Sequence, residues 1–455
     1  MGAGVCGLYA ARTLVEIAGI EVVVVEKEDL VGGLATGRKF GKNYYDHGVH
    51  MLHEFDQEIY DDVRNLMNGE MTDVSLDARI KWMNKIYRYP LQPLDTFASM
   101  NPLRVMHFIV GLLSAQLAHR LFPKEAENAE VALIQLYGKP LYKYFFEKFT
   151  EKYWDIHPKK LSATFIKSKM PRLTVRDALY KIFSKLGIKD RQERTVESAL
   201  LEETLHYSKQ GAEAMPRCIA SYIESKGGVV LIQHEVERLN LSEGSISSVE
   251  IRDIKTNQLQ NLECDYCIST IPLPEMIQKI KPSPQRELLE SSNFLEFRAI
   301  AVYGLLVNKT KAMDCLYCYY RNRIFHRVSE PKNSGLKVVP ENHTVLLVEM
   351  TCYKGDNKWE GHDSIKRQVL DDLESEGLCQ PDQVVEINVL TNEHGYPIYS
   401  KGFDPHLANI MTYLEGIHNL SSTGRQGGFS YPNMDRAMRL GSDAAQRSLA
   451  YFQSI

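Results

Sequence analysis

The sequence lacks the features of an exported, membrane-spanning or nucleic-acid-binding protein. It opens with no charged segment followed by an apolar run, and no stretch reaches the roughly 18 uninterrupted apolar residues of a spanning helix. The 54 basic and 58 acidic residues are interspersed and give a net charge of -4, which argues against an electrostatic nucleic-acid binder. We therefore expect a cytoplasmic protein with a small-molecule substrate, no nucleic-acid partner and no integral membrane span.

Cysteine is too scarce for a disulfide framework, with 8 residues in a chain of 455. Two CxxC pairs, Cys264 with Cys267 and Cys315 with Cys318, have the spacing of zinc ligands. Both pairs lie in strand-like apolar sequence, and they are much farther apart than in a compact zinc ribbon. Reduced thiols are the favoured interpretation, and no metal site is predicted.

The most apolar stretch, residues 105–122, is interrupted by His107, Gln116, His119 and Arg120. It is too short and too interrupted to cross a bilayer comfortably. A buried or half-buried helix is the favoured interpretation, and contact with a membrane surface is the alternative.

A glycine-rich fingerprint opens the chain. Residues 2–7 match GxGxxG, in which Gly2, Gly4 and Gly7 permit a tight turn, close approach to a pyrophosphate and tight helix packing. The helix that follows offers the free N–H groups of its N-terminus to phosphates. Glu26 ends the next apolar strand at about the 20-residue offset expected of an acid that binds ribose hydroxyls. These residues predict a dinucleotide site.

One part of this unit is missing, because only Met1 stands before the glycine turn. Loss of the central strand of a parallel sheet would leave its neighbours without ladder partners and the turn without an anchor. A trimmed or mis-assigned start is the favoured explanation, and a protein with weakened cofactor affinity is the alternative.

The glycines after Glu26 narrow the choice of cofactor. Residues 29–37 read DLVGGLATG, and Gly32 and Gly33 let the backbone approach a bulky planar group. FAD enzymes of the amine-oxidase superfamily carry a similar stretch, so this resemblance favours FAD over NAD. Across its length the chain resembles the flavoproteins that include UDP-galactopyranose mutases and protoporphyrinogen-oxidase-like or amine-oxidase-like proteins.

The resemblance implies an α/β fold with a Rossmann-like FAD/NAD(P)-binding domain, an inserted helical domain and an antiparallel-sheet substrate domain. Residues 74–209 are mostly helical in pattern, whereas β-branched and aromatic strands at residues 298–307 and 344–350 suit an antiparallel sheet. The predicted domains are the FAD-binding segments 1–73, 210–290 and 411–455, the helical cap 74–209 and the antiparallel-sheet domain 291–410.

Two loops resemble flavin contacts of this family. Residues 45–50, YDHGVH, are similar to its Gly-x-His loop, which lies against the flavin. Residues 424–435, GRQGGFSYPNMD, keep mutase spacing and predict a strand, a glycine turn and a helix that aims N–H groups at the flavin. The resemblance implies cofactor-binding roles for Gly48, Gly424, Met434 and Asp435, and catalytic roles for His50, Arg425 and Tyr431.

Other segments resemble substrate contacts. Residues 138–154 are similar to a mutase stretch that packs on the nucleotide base of the sugar donor, where aromatic faces stack with little loss of entropy. Residues 169–172 and 325–330 resemble segments that present arginines, whose planar fork can hold a phosphate through two hydrogen bonds. The resemblance implies substrate-binding roles for Phe149, Trp154 and the paired tyrosines Tyr396 and Tyr399, and catalytic roles for the arginines Arg172 and Arg327.

Three functions compete. The favoured one is an FAD-dependent oxidoreductase that transfers a hydride from a small molecule related to sugar nucleotides or glycans. In the second, reduced FAD is the nucleophile of a UDP-galactopyranose mutase-like isomerase, and Arg172, Arg327 and Arg425 hold the diphosphate. The third is an inactive or flavin-free binding protein, which the missing strand suggests. A homodimer is left open.

Overall fold

The structure is a computed structural model that describes residues 1–82, 85–89, 100–164, 166 and 204–454. Its strands are β1 (Val23–Val25), β2 (Gly37–Phe40), β3 (Asn43–Asp46), β4 (Leu52–His53), β5 (Met71–Ser75), β6 (Ala78–Trp82), β7 (Lys85–Arg88), β8 (Thr204–Ser208), β9 (Val229–Leu231), β10 (His234–Ser242), β11 (Ser245–Asp253), β12 (Leu259–Glu263), β13 (Cys267–Ser269), β14 (Ile280–Lys281), β15 (Glu296–Val307), β16 (Tyr317–Tyr320), β17 (Arg327–Ser329), β18 (Thr344–Cys352), β19 (Val384–Ile398) and β20 (Leu420–Ser422). Its α-helices are α1 (Val5–Leu14), α2 (Gln57–Leu66), α3 (Pro102–Leu121), α4 (Ala129–Leu141), α5 (Glu147–Trp154), α6 (Ala214–Ser225), α7 (Leu273–Lys279), α8 (Arg286–Phe294), α9 (Asp363–Ser375), α10 (Phe403–Glu415), α11 (Gly424–Gly427) and α12 (Met434–Ser454).

A parallel layer is built from two strand pairs, β1 with β9 and β13 with β20. The first two residues of the chain lie between the pairs. On one side, Gly2 N donates to Val25 O at 2.8 Å. On the other, the Met1 amino group donates to Ile268 O at 2.9 Å, and Met1 O accepts from Thr270 N at 2.9 Å. These bonds join the two pairs and anchor the glycine turn, and the predicted α/β class is confirmed.

Helices α1 and α12 cross at close range on this layer. A Cβ added at Gly441 would lie 2.1 Å from Cys6 O, and one added at Gly7 would lie 2.0 Å from Gly2 O. A side chain at either position would therefore force backbone apart. Gly7 thus fixes the start of α1, and Gly441 fixes the distance between α1 and α12.

The sheet predicted to be antiparallel has the strand order β19-β15-β18-β17-β16-β6-β7 in the described residues, and all of its pairs except β16 with β6 are antiparallel. β15 and β18 are central and almost wholly buried, as their continuous apolar sequence requires. β6 and β7 come from the segment that the sequence pattern assigned to a mostly helical block, and that assignment is wrong here. The reason is long-range pairing: β6 runs parallel to β16, so tertiary contact outweighs the local pattern.

Helices α3, α4 and α5 form the helical region. α3 meets α4 at two glycines, since a Cβ added at Gly138 would lie 2.4 Å from Gly111 O. Phe108 is buried in this contact, but Leu103 and Phe122 at the two ends of α3 are each 77% exposed. Of the two predicted possibilities, a buried or a half-buried helix, the structure shows the half-buried one, because the outward face has no packing partner in the described residues. Within the described ranges, no helix combines the length and apolarity that a bilayer span requires.

Candidate active site

A cavity of about 610 Å³ lies between the opening glycine turn and strand β19. We call it the cofactor cleft. Gly2 and Gly4 from one end of the sequence line it together with Arg425 and Met434 from the other. Its volume is within the range of roughly 300–1,000 Å³ that is typical of small-molecule sites. The two distant glycine-rich segments therefore share one cleft, as the sequence interpretation required.

Glycines let the loops around this cleft pack backbone to backbone. Gly424 has φ +84°, and a Cβ added to it would lie 3.0 Å from Cys6 Sγ. Gly4 forms a parallel bridge with Gly32, and a Cβ added at Gly4 would lie 4.0 Å from Gly33 Cα. The first glycine turn is thus enclosed by two other turns.

Glu26 is a buried carboxylate in the lining of the cleft. Its Oε2 accepts from Ala3 N at 2.7 Å, and its Oε1 accepts from Glu28 N at 3.0 Å. Burial raises the pKa of Glu26, and the two N–H groups oppose that rise. Each carboxylate oxygen retains a lone pair, so the residue can still accept from the hydroxyl groups of a ribose.

The cleft also presents unused donors and acceptors. The N-cap of α1, Gly4, supplies no capping side chain, so N–H groups of the first turn are left for a ligand. Thr36 Oγ1 and His50 Nδ1 are buried in the lining without a hydrogen-bond partner among the described residues. Because buried polar atoms are normally bonded, both atoms mark places for polar ligand groups. These features fit the dinucleotide that the sequence predicts.

A buried ion pair lies beneath the loop of residues 47–50. Arg327 bonds Glu349 through two contacts of 2.6 Å, and Glu349 is fully buried. Burial alone would lower the pKa of Arg327, but Glu349 outweighs burial and raises it well above its ordinary value. Gly48 has φ +112°, and a Cβ added to it would lie 2.9 Å from Glu349 Oε2. Gly48 therefore makes room for the ion pair, and its predicted contact with the cofactor stays a prediction.

The pKa of His50 is sensitive to the charges around the cleft. Burial, followed by the positive charges of Arg425 and Arg327, lowers the pKa of His50 to about 3. Arg425 donates to Pro432 O at 2.8 Å and lies over the ring of Tyr431 at 4.5 Å. Among the described residues it has no carboxylate partner. A partly buried guanidinium without a counter-ion leaves this end of the cleft positive.

Tyrosines extend from Arg425 toward the ion pair. Tyr431 stacks on Tyr396 with ring centroids 5.3 Å apart, and its hydroxyl oxygen lies 3.4 Å from that of Tyr153. The ring of Tyr153 is in turn 5.5 Å from the ring of Tyr396. Three aromatic residues from three separate segments therefore meet beside Arg425.

Phe149 continues this group toward Arg327. Its ring lies 6.3 Å from that of Tyr153 and 6.1 Å from that of Tyr319, whose hydroxyl accepts from Arg327 Nη1 at 3.4 Å. We call the four residues Tyr153, Tyr319, Tyr396 and Tyr431 the tyrosine cluster. It gives a ligand next to the cleft several hydroxyl groups and flat ring faces.

Sequence reasoning missed Tyr153, Tyr319 and Glu349. The segment of Tyr319 was considered for zinc because of its cysteines, but alternation along β16 separates Tyr319 from Cys318, which packs in a different core. Glu349 is an isolated carboxylate within the apolar strand β18, and such a residue indicates a buried partner. The alternation along β16 and the lone carboxylate in β18 could both have been seen in the sequence.

Metal ligands are not assembled around this site. In the part of the chain that the structure describes, no group of His, Cys, Asp and Glu side chains is arranged to hold a metal ion. The four cysteines of the two CxxC pairs are free thiols.

Several predicted residues lie away from the cleft. Trp154 is 3% exposed and packs in the core, so its indole offers no open face to a nucleotide base. Tyr399 stacks on Phe403 with centroids 4.7 Å apart. Asp435, by contrast, is buried directly beside Met434, which lines the cleft. Arg172 lies outside the described residues. The predicted roles of these residues stay predictions.

Comparison with known proteins agrees with the fold. The model of a family described as flavin containing amine oxidoreductase matches residues 5–375. The crystal structure of reduced UDP-galactopyranose mutase has a TM-score of 0.81 at 18% identity, covering 99% of this chain and 93% of that chain. The structure of wild-type putrescine oxidase bound to putrescine matches this chain with a TM-score of 0.65 at 14% identity. The match covers 99% of this chain and 98% of the oxidase chain. Similarity at these identities shows the fold alone.

One sequence relative is a nucleotide-sugar enzyme by name. The dTDP-fucopyranose mutase of Escherichia coli is 25% identical over 186 residues, which are 39% of this chain and 45% of that protein. The match thus spans less than half the length of the relative.

Proposed function

This chain belongs to the family of flavin-containing amine oxidoreductases, and we propose that it uses FAD to interconvert the pyranose and furanose forms of a nucleoside-diphosphate sugar. FAD is its cofactor, which sets aside the flavin-free alternative. The proposal reverses the order of the two enzyme hypotheses, because the sequence alone favoured oxidation of a small molecule.

The observation that carries the proposal is the positive charge at one end of the cleft. Arg327 is neutralised by Glu349, whereas Arg425 has no carboxylate partner among the described residues. The rest of the cleft is lined by acidic and basic side chains together. Next to Arg425 a protonated substrate amine would be repelled and a diphosphate attracted, which supports an anionic nucleotide sugar over an amine.

The residues around the cleft suit such a substrate. Arg425 can hold the diphosphate, and the hydroxyl groups of Tyr153, Tyr319 and Tyr431 can donate to phosphate and sugar oxygens. His50 stays neutral over the working pH range because its pKa is lowered to about 3, so it can hydrogen-bond without adding charge. FAD held by the cleft that Gly2, Gly4 and Glu26 line would, when reduced, supply a nucleophile for the anomeric carbon. Arg425 then stabilises the negative charge of the departing diphosphate.

Two similarities add support for this substrate class. One solved structure of the same fold is a UDP-galactopyranose mutase, and the sequence relative is named for dTDP-fucopyranose. A uridine or thymidine diphosphate sugar is therefore the first substrate to test.

The test uses protein whose FAD content is verified by absorbance and then reduced with dithionite under anaerobic conditions. UDP-galactose and dTDP-fucopyranose are added in separate reactions, and the products are resolved by chromatography and NMR. We expect a furanose product while the flavin stays reduced, and no product with oxidised protein. Bleaching of the oxidised flavin by the substrate would instead support the oxidoreductase, and an unchanged substrate in all reactions would contradict both.

A matched pair of variants tests the role of Arg425. Arg425→Met should lower kcat/KM by about 100-fold, because loss of one transition-state charge contact costs roughly 2.7 kcal/mol or more. Arg425→Lys keeps the charge and should recover part of that loss. Equal activity of Arg425→Met and the wild-type protein, at equal FAD content, would contradict the proposed role of Arg425 in binding the diphosphate.

A further inference from the structure

The outward face of α3 carries an exposed apolar stripe. Its side chains recur every three or four residues, and each is between 46% and 77% exposed. Soluble proteins rarely leave so continuous an apolar surface uncovered, and such surfaces mark sites of interaction. The stripe consists of Leu103, Met106, Val110, Leu113, Leu117 and Leu121.

The opposite face of α3 is already used for packing. Phe108 is 3% exposed and its ring lies 5.3 Å from that of Tyr144. Gly111 approaches α4 so closely that an added Cβ would lie 2.5 Å from Pro140 Cδ. Rotation of α3 about its axis would break this contact, so the stripe is held outward. A helix that is apolar on both faces is typical of a buried or a membrane-bound helix.

The charged side chains of α3 have one sign. Arg104, near the start of the helix, is exposed, and its guanidinium lies over the ring of Tyr144 at 5.4 Å; Arg120 lies near the end of the helix. A histidine lies close to each arginine, and the helix contains no Asp or Glu. Beyond the helix, Lys124 pairs with Glu127 at 3.7 Å. Apolar side chains flanked by arginines match an anionic lipid surface, where the apolar groups enter the acyl region and the guanidinium groups meet phosphates.

A second copy of this chain fits the stripe less well. In a parallel or an antiparallel pair of α3 helices, each end that carries an arginine would lie next to an end of the other copy that also carries an arginine. Neither helix supplies a carboxylate to neutralise them, so like charges would oppose the pairing. An anionic bilayer neutralises both ends at once. We propose that α3 is an interfacial anchor that lies in the plane of an anionic lipid bilayer.

Sedimentation of the FAD-loaded protein with lipid vesicles tests this anchor. One set of vesicles is phosphatidylcholine mixed with phosphatidylglycerol, and the other is phosphatidylcholine alone. We expect the protein to sediment with the mixed vesicles and to bind the neutral ones about tenfold more weakly. Added salt should release the protein by screening the arginines.

Matched variants locate the contact. Leu113→Glu combined with Leu117→Glu places two carboxylates in the stripe and should abolish sedimentation with vesicles. Leu259→Glu is the control, because Leu259 lies on β12 and is 59% exposed, against 58% for Leu117. Arg104→Gln combined with Arg120→Gln should remove the preference for anionic lipid.

Three results would overturn the proposal. The first is a wild-type protein that sediments with neither set of vesicles, and the second is equal loss of binding in the Leu259→Glu control. The third is a wild-type dimer, seen by sedimentation velocity without lipid, that the double glutamate variant converts to monomer, since a second copy would then cover the stripe. FAD absorbance and circular dichroism verify folding, and the lipid and salt dependence of the wild-type protein decides the matter if a variant fails to fold.

Discussion

The buried pair of Arg327 and Glu349 allows a quantitative test of how the site is held together. Glu349 is fully buried and makes two bonds of 2.6 Å to the guanidinium. Removing one partner leaves an uncompensated buried charge, so Arg327→Met and Glu349→Leu should each lower the free energy of unfolding by about 3–5 kcal/mol. The double variant replaces the pair with apolar side chains. Its loss of unfolding free energy should be smaller than the sum of the two single losses, and the difference should be about 1–3 kcal/mol.

Urea unfolding of the FAD-loaded proteins, followed by tryptophan fluorescence, measures this cycle. The exposed pair of Arg286 and Glu290 is the control, because its side chains are 92% and 61% exposed at a separation of 2.8 Å. Its coupling should be no more than about 0.5 kcal/mol. If the effects at Arg327 and Glu349 add to within about 0.5 kcal/mol, the pair is not coupled and the reasoning about the site charge is wrong.

Three further perturbations probe the cofactor cleft and the core. Glu26→Gln puts an amide donor against a backbone N–H or a ribose hydroxyl and should weaken FAD binding about tenfold to 100-fold, measured by flavin fluorescence. Burial raises the pKa of Asp46 from 3.8 to about 6, so the folded protein binds this proton more tightly than the unfolded chain does. The free energy of unfolding should therefore fall by up to about 3 kcal/mol as the pH rises from about 4 to about 6. Urea unfolding at several pH values should show this fall in the wild-type protein and not in Asp46→Asn. Gly441→Ala should separate α1 from α12 and lower both the unfolding midpoint and FAD retention, since its Cβ would lie 2.1 Å from Cys6 O.

The parts of the fold that the sequence predicted are those fixed by local chemistry. The dinucleotide fingerprint specifies glycines at a turn and an acid at the end of the next strand, so Gly2, Gly4 and Glu26 could be predicted to lie together, as they do in the lining of the cleft. Their contacts with the cofactor stay predictions. The central antiparallel strands, β15 and β18, could be predicted because their apolar runs bury both faces.

What the sequence did not predict depends on contacts between distant segments. β6 is a strand because it pairs with β16, more than two hundred residues later. Trp154 became a candidate for base stacking through its motif, but the core that covers it is built from other segments. The outward face of α3 could not be predicted either, because an apolar pattern does not say which face receives a partner.

The contact between Cys6 and the turn at Gly424 governs when the protein can acquire its flavin during synthesis. The two residues are more than four hundred positions apart, so the cleft lacks one wall until the segment around Gly424 has left the ribosome. At about 5–20 residues per second, synthesis of the intervening chain takes tens of seconds. Capture of the flavin therefore requires that the chain has been synthesised at least through this second turn.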